Sequence, residues 1–419
     1  FNLHASFVKD SLIVKMKKGE ALIHHSLIKS SRNLFDGVHV IKTDQLIKLE
    51  QELKDDPRIE YTQRNYRAQK RVLPETYLCK ELEDFKNEAS SPFNDPKVSQ
   101  VWSFKNAEEH GISVNYAYQA YPIEEQEEII VAVVDTGVDV THEDLKDVMW
   151  KNPGEIPGNK IDDDENGYVD DINGINTLVR DSEERATGTI TDTSSHGTHV
   201  SGTIAAKQNN NKGIAGIASH AKIMGIKTVP RSGDETDVNV VESFIYAAKN
   251  GARIINCSFG KRDNEGGMAV SDAIKYIGEN YGVLVIAAAG NDHRDLDENP
   301  MYPAAFDNEH LLVVASTYTS GTLSFFSNYG IEGVDVAAPG SDIFSTTPNN
   351  RYGTKSGTSM ASPTTAGLAA EILSRFPELT PLELKETIMS TVTPVEKFQD
   401  IIQSGGRVNL YNALNSLYQ

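Results

Sequence analysis

Five runs rich in valine and isoleucine, at residues 129–135, 223–229, 253–259, 283–289 and 311–316, constrain this chain more than any other feature. Each is short and apolar almost throughout rather than alternating, as a strand buried on both faces reads. Helical spacing fills intervals between them, as at residues 240–250 and 268–279. Strands alternating with helices predict an α/β fold with a mostly parallel central sheet. Open sheets of that kind gather functional side chains at the carboxyl ends of their strands, and Asp135 ends the first run. Two further helical runs, Pro381–Ser390 and 408–417, follow near the end of the sequence.

The first 71 residues read differently. Strand-like segments at 12–14 and 38–41 precede a helical stretch at 43–54, spaced by Leu46, Ile47, Leu49 and Leu53. Asp55-Asp56-Pro57 stops that helix, and a last strand begins at Arg58. This is the pattern of a small α+β, ferredoxin-like unit. It carries 14 Lys and Arg against 9 Asp and Glu, net +5, whereas the remaining residues carry 26 against 51, net −25. A basic front piece on an acidic body predicts mutual attraction, although ordinary surface charge gives the same count. An acidic body without a basic stripe argues against a nucleic-acid partner. Residues 72–93 are polar and mixed, a connector ahead of a body spanning 94–419.

No apolar run approaches the roughly 18 residues of a membrane-spanning helix, so no membrane partner is expected. A chain that starts at Phe1 rather than Met is expected to have lost something upstream, such as a signal peptide. Two cysteines, Cys79 in the connector and Cys257 in an apolar strand, are too few for a disulfide scaffold.

Three short motifs carry the chemistry: Val133-Val134-Asp135-Thr136-Gly137, His196-Gly197-Thr198-His199-Val200-Ser201-Gly202, and Gly357-Thr358-Ser359-Met360-Ala361-Ser362-Pro363. The last puts a serine hydroxyl at the mouth of an apolar helix, where the helix terminus favours negative charge. Alone it reads as a helix cap. With the other two it gives the order Asp, His, Ser, one of the chain orders in which a nucleophile, a base and an orienter of the base assemble. His196 and His199 also form a His-x-x-His pair open to reading as metal ligands, but the flanking Gly-Thr and Val-Ser-Gly go with the Asp, His, Ser set instead.

On these motifs, and on Ala287-Ala288-Ala289-Gly290-Asn291, the chain resembles the subtilisin-like serine proteases, the subtilases of peptidase family S8. The resemblance implies a three-layer α/β fold and a secreted serine endopeptidase, expected as a monomer, acting on protein and peptide substrates. Asp135, His196 and Ser359 would form the triad, and Asn291 would stabilise the oxyanion. Ser258, Phe259 and Gly260 would line one side of the substrate cleft, Ala288 and Gly290 the wall of its main pocket, with Met301 near the floor and a second edge at Ser232-Gly233-Asp234. Acidic Asp234, Glu235 and Asp292 suggest a preference for basic side chains, hence the alternative of a narrow processing protease. A non-catalytic binding protein on the same fold is the alternative of another class. Asp56 to Asn65 resembles the end of a subtilase propeptide, so residues 1–71 would be an inhibitory propeptide in a zymogen, with cleavage after Lys70-Arg71 or a second cut near residue 90.

The run Asp162-Asp163-Asp164-Glu165-Asn166-Gly167-Tyr168-Val169-Asp170-Asp171 carries D-x-D-x-N-G, the front half of an EF-hand-like loop. Asp162, Asp164, Asn166, the Tyr168 carbonyl, and Asp170 or Asp171 are the expected calcium ligands. The twelfth position is Asn173 rather than Glu, so the loop is not a complete EF-hand, and a solvated acidic turn is the other reading. The resemblance adds a second calcium site around Asp144 and the Asn209-Asn210-Asn211 loop.

Overall fold

The computed structural model describes residues 7–67, 91–122, 126–182, 185–192, 194–231, 235–262 and 267–419. Its first elements are β1 (Phe7–Met16), β2 (Ser30–Phe35), β3 (Val38–Lys42), α1 (Leu46–Leu53) and β4 (Ile59–Tyr66). The strands form an antiparallel sheet in the order β2-β3-β1-β4. Alternation along a strand gives that sheet two different faces. Leu12, Val14 and Met16 join Leu46, Leu49 and Leu53 of α1 in a core private to this unit. Ile13, Phe35, Val38 and Val40 instead join a buried cluster of the larger body. The strand β2 was not foreseen, because Ser30-Ser31-Arg32-Asn33 shows no apolar alternation and lies at the sheet edge.

The body follows with α2 (Val114–Ala120), β5 (Ile129–Asp135), β6 (Asn176–Arg180), β7 (Ala186–Thr187), α3 (His196–Ala205), β8 (Ala221–Lys227), α4 (Asp237–Lys249), β9 (Ile254–Cys257), α5 (Ala269–Tyr281), β10 (Leu284–Ala288), β11 (Leu311–Thr317) and β12 (Val336–Pro339). It ends with the hairpin β13 (Ile343–Thr347) and β14 (Arg351–Lys355), then α6 (Thr358–Arg375), α7 (Pro381–Ser390), β15 (Thr393–Pro394), β16 (Gly406–Arg407) and α8 (Leu410–Tyr418). Ten strands form one sheet in the order β15-β16-β12-β11-β10-β9-β5-β8-β6-β7. Every pairing is parallel except those of the outermost strands, β15 with β16 and β6 with β7. The five apolar runs of the sequence are β8, β5, β9, β10 and β11, adjacent at the centre.

Being buried on both faces, these strands use both sets of side chains. Val131 and Val133 of β5 pack in one cluster with Val200 and Ile204 of α3 and Leu368 and Ile372 of α6. Ala132 and Val134 pack in the other with Val241 and Phe244 of α4 and Ile274 and Ile277 of α5. The result is a three-layer α/β fold. Each fully buried Val or Ile contributes about 1.5–3 kcal/mol relative to exposure. The packed body begins before residue 94: Phe93 is buried, with its ring centroid 5.4 Å from Phe104 and 5.2 Å from Tyr118.

The N-terminal sheet sits on α4 and α5. The Gln63 side chain accepts from Met268 N (2.8 Å) and Ala269 N (3.1 Å) at the start of α5, and its amide donates to Asp237 Oδ2 (2.8 Å). Asn65 Oδ1 accepts from Val238 N (3.2 Å) at the start of α4. Arg32 holds the buried Glu242 through two hydrogen bonds of 3.0 and 3.1 Å, and Tyr61 donates to Asp272 (2.7 Å). Arg67 bridges Thr236 in antiparallel fashion, so the chain leaves β4 along the edge near α4.

Candidate active site

Asp135 is the last residue of β5 and His196 the first of α3. Two contacts bring these ends together. Thr136 N donates to Asp135 Oδ1 (2.7 Å), and Gly197 N donates to Thr136 Oγ1 (3.1 Å). The approach is close enough that a Cβ on Gly197 would lie 2.1 Å from the Gly137 carbonyl oxygen, so the helix can start here only with glycine after the histidine. His196 Nδ1 lies 2.8 Å from Asp135 Oδ1 and 2.9 Å from Oδ2. A carboxylate only accepts, so Nδ1 carries the proton and Nε2 presents its lone pair. Nε2 is buried with no hydrogen-bond partner among the described residues.

Ser359 is the second residue of α6 and is buried. Pro363 lies four residues later and has no N–H, so the Ser359 carbonyl loses its ordinary helical donor. Ser258 Oγ donates to it instead (3.2 Å), while Ser359 Oγ donates to the Ser258 carbonyl (3.1 Å). The serine hydroxyl thus faces the segment after β9 rather than bonding to His196. Asn291 follows β10. Its Oδ1 accepts from Thr358 N (2.8 Å) and Thr358 Oγ1 (2.9 Å), which leaves its NH₂ as the end available to a ligand.

The cleft residues gather around these groups. Phe259 and Gly260 continue from Ser258 and line a small pocket with Glu235, Asp237, Lys261 and Tyr302. Ala288 ends β10. Gly290 has φ +104°, and a Cβ there would meet Met301 Sδ at 2.3 Å and Asn328 Nδ2 at 2.5 Å. Met301 therefore packs directly beneath Gly290. Of the acidic residues expected to favour basic substrates, Asp292 is paired with Arg262 (2.7 Å) and Glu235 is buried. Ser232-Gly233-Asp234, Lys70-Arg71, Cys79 and the proposed cut near residue 90 lie outside the described residues. His199 Nε2 faces the carbonyls of Ile343 (2.9 Å) and Gly353 (3.1 Å), and burial drives its pKa down to about 3. It is a neutral core histidine, and the metal reading of His-x-x-His finds no support in this geometry.

Comparison with known proteins now bears on the same residues. The subtilase family profile matches residues 126–411, a span that holds all four candidate groups. The chain belongs to the subtilase family. It is 36% identical over 284 residues to the thermophilic serine proteinase of Bacillus sp. (strain AK1), covering 68% of this chain and 61% of that protein. It is 32% identical to subtilisin-like protease 1 of Plasmodium vivax, covering 68% of this chain and 47% of that protein. It therefore spans about half to three fifths of the length of those two relatives. Against thermitase of Thermoactinomyces vulgaris the identity is 34%, covering 77% of this chain and 98% of that protein. A solved structure of proteases from Pseudoalteromonas arctica superposes with a TM-score of 0.61 at 28% identity, covering 78% of this chain and 99% of that one.

In this subtilase the acidic loop is only partly arranged as its sequence suggested. Glu155, Asp164 and Asp171 present carboxylate atoms all within 4.8 Å of one another. Asp162 turns to Asn166 N (3.0 Å) and Gly167 N (2.9 Å), and Asp170 to Gly158 N (2.7 Å) and Lys160 N (3.1 Å). Asp162 thus caps its own turn, and Asp170 holds the preceding turn at residues 158–160. Asn166 donates through Nδ2 to Asp164 and Asp171 (3.0 Å each), its oxygen taken by Tyr168 N (2.8 Å). The Tyr168 ring packs 5.0 Å from Tyr246, and its hydroxyl donates to Glu242 (3.2 Å). Glu155 was missed because it stands seven residues before the motif and reads as an ordinary surface acid. Burial pushes the Asp171 carboxyl up, and burial with the Asp171 charge does the same to Glu155. Three carboxylates with oxygen atoms this close together suit a divalent cation.

At the second expected calcium site, Asp144 accepts from Asn210 Nδ2 (2.9 Å), Ile214 N (3.0 Å) and the Tyr352 hydroxyl (2.8 Å). Asp95 accepts from Asn209 N (2.9 Å) and Asn210 N (3.1 Å). Among the described residues no helix is long and apolar enough to cross a membrane.

Proposed function

We propose that this subtilase is a serine endopeptidase held as a zymogen by its N-terminal unit. The observation that carries the reading is the His196 imidazole, clamped at Nδ1 by both oxygens of Asp135, with its buried Nε2 unpartnered among the described residues. Asp135 orients the ring and supports the imidazolium. Ser359 Oγ turns from the Ser258 carbonyl to Nε2, gives up its proton there and attacks the scissile carbonyl carbon. The oxyanion that forms is met by Asn291 Nδ2 and the Ser359 N–H. A side-chain donor of this kind contributes about 2.7–4 kcal/mol, a range measured on the corresponding asparagine of subtilisin. His196 then passes the proton to the departing amine, and water, deprotonated in turn by His196, releases the acyl group.

The inhibitory role of residues 1–71 is supported by the residue after β4: Arg67 makes an antiparallel bridge to Thr236, the kind of backbone pairing by which an added strand docks on an edge. Calcium belongs to the reading as a stabiliser. Glu155, Asp164 and Asp171 would hold it, and its charge would offset theirs. A secreted site of action fits the reading, since the relatives include thermitase and the chain carries a carboxylate cluster suited to calcium.

A fluorophosphonate probe and a casein-type substrate test the reading. Mature protein should be labelled at Ser359 and hydrolyse the substrate, while Ser359→Ala does neither. A correctly folded mature protein that takes no label would make this a binding protein on a protease fold.

A further inference from the structure

Asp192 stands outside all four motifs, yet its carboxylate collects five donors. Oδ1 accepts from Thr136 Oγ1 (2.9 Å), Ser194 N (2.9 Å) and Ser195 N (3.0 Å), and Oδ2 accepts from Thr198 N (3.0 Å) and Thr198 Oγ1 (2.6 Å). These donors belong to two separate elements. Ser194, Ser195 and Thr198 form the entry and first turn of α3, the helix that begins at His196. Thr136 belongs to the loop that continues β5 past Asp135.

We propose that Asp192 is a positioning residue that sets the register between Asp135 and His196. Thr136 is the coupling piece: its N–H holds Asp135 Oδ1, its hydroxyl accepts from Gly197 N, and that same hydroxyl donates to Asp192. Asp192 thereby locks the neighbour of each triad member to the other. It also holds Ser195, immediately before His196, in the left-handed region at φ 65°, a conformation unfavourable for a non-glycine residue. The loop bearing Asp192 is braced from behind by Lys227 of β8, whose ammonium donates to Thr191 O (2.6 Å).

All five partners donate, so both carboxylate oxygens act as acceptors. Asp192→Asn keeps the volume but turns an NH₂ toward donors on one side. The inference rests on the peptidase reading for its kinetics, so the test includes a readout that does not. In mature protein, well below its melting temperature, Asp192→Asn should lower kcat about 10- to 100-fold with KM changed less than about twofold. Loss of a nearby negative charge should also move the acid limb of the kcat/KM profile to lower pH. Thr136→Val should follow it, and Thr136→Ser, which retains the hydroxyl, should behave like the parent. Independently of turnover, the proton bridging His196 and Asp135 should give a far-downfield resonance in Ser359→Ala protein that shifts or broadens when Asp192→Asn is added. An unchanged resonance with unchanged kcat and acid limb, whatever happens to thermal stability, would overturn the inference. A changed resonance in a chain that hydrolyses nothing would sustain it and defeat the peptidase reading instead.

Discussion

The body and the N-terminal unit are both sheets with helices packed on each face, yet they are held by different means. In the body, β5 and its neighbours are apolar on both faces, and the packing with α3 and α6 on one side and α4 and α5 on the other is closed. The N-terminal unit has a small private core and meets the body through a narrow apolar seam rimmed by polar contacts: Arg32 with Glu242, Tyr61 with Asp272, and Gln63 and Asn65 on the helix starts. An open cleft of about 730 Å³, lined by Arg32, Lys42, Arg67 and Arg180 among others, remains between the two. Burial would push the Glu242 carboxyl up, but Arg180 and Arg32 outweigh it and hold it low. Apolar burial fastens regardless of which side chains are opposite, whereas contacts of this polar kind depend on the partner's chemistry. The lesson is that the body is closed by apolar burial, whereas the seam to the N-terminal unit depends on particular polar pairs.

The largest effect expected is confined to the body. Ser359→Ala should lower turnover by about 10⁴-fold or more while leaving the N-terminal unit in place, checked by peptide hydrolysis beside hydrogen exchange of β4. The next effect is confined to the seam. Gln63→Glu sets a second carboxylate against the buried Asp237, 2.8 Å from the present amide. In the uncut Ser359→Ala chain it should loosen β4 about 10- to 100-fold by hydrogen exchange at pH 7. The hold should return as the pH falls and one carboxyl of the pair is protonated. A β4 insensitive to this change would mean that the apolar seam, not the polar rim, fastens the unit.

Chelation should act on the body alone. Removing calcium should lower its melting temperature by a few degrees, as loss of about 1–2 kcal/mol does in a chain of this size. Asp164→Ala should abolish that dependence, and Asp162→Ala should leave most of it, because Asp162 bonds its own turn. An effect of similar size to that of calcium is a pH dependence of the core. His199 stays neutral in the fold down to about pH 3, whereas an unfolded chain takes the proton below about 6.5. Stability from this residue is complete above pH 6.5 and is lost on acidification, by about 1.4 kcal/mol per pH unit. The difference in denaturant stability between Ser359→Ala and Ser359→Ala with His199→Gln, followed from pH 7 to 5, isolates it.

Much of this was legible in the sequence because the physics is local. An unbroken apolar run declares a doubly buried strand, and five of them in alternation with helices declare the central sheet. The Asp, His and Ser motifs were legible because each needs particular neighbours, such as Gly197 against the Gly137 carbonyl. What stayed hidden depends on contacts distant in sequence. The strand β2 is defined by its pairing with β3, not by its own pattern. Glu155 reaches the acidic cluster only because the chain folds back, and Asp162 and Asp170 look like ligands until their backbone partners are seen. Asp192 precedes the His motif by four residues, but its link to Thr136, 56 residues earlier, exists only in the fold.

The central claim, a triad in the body silenced by a releasable N-terminal unit, meets its most direct test in the intact mass of freshly folded, calcium-loaded protein beside Ser359→Ala. The parent should lose an N-terminal piece by a cut within residues 68–90, and Ser359→Ala should remain whole, with hydrolysis of an added peptide appearing only as the piece is released. A parent that stays whole yet hydrolyses the peptide at full rate, or a Ser359→Ala chain that is cut at the same place and pace, would contradict it.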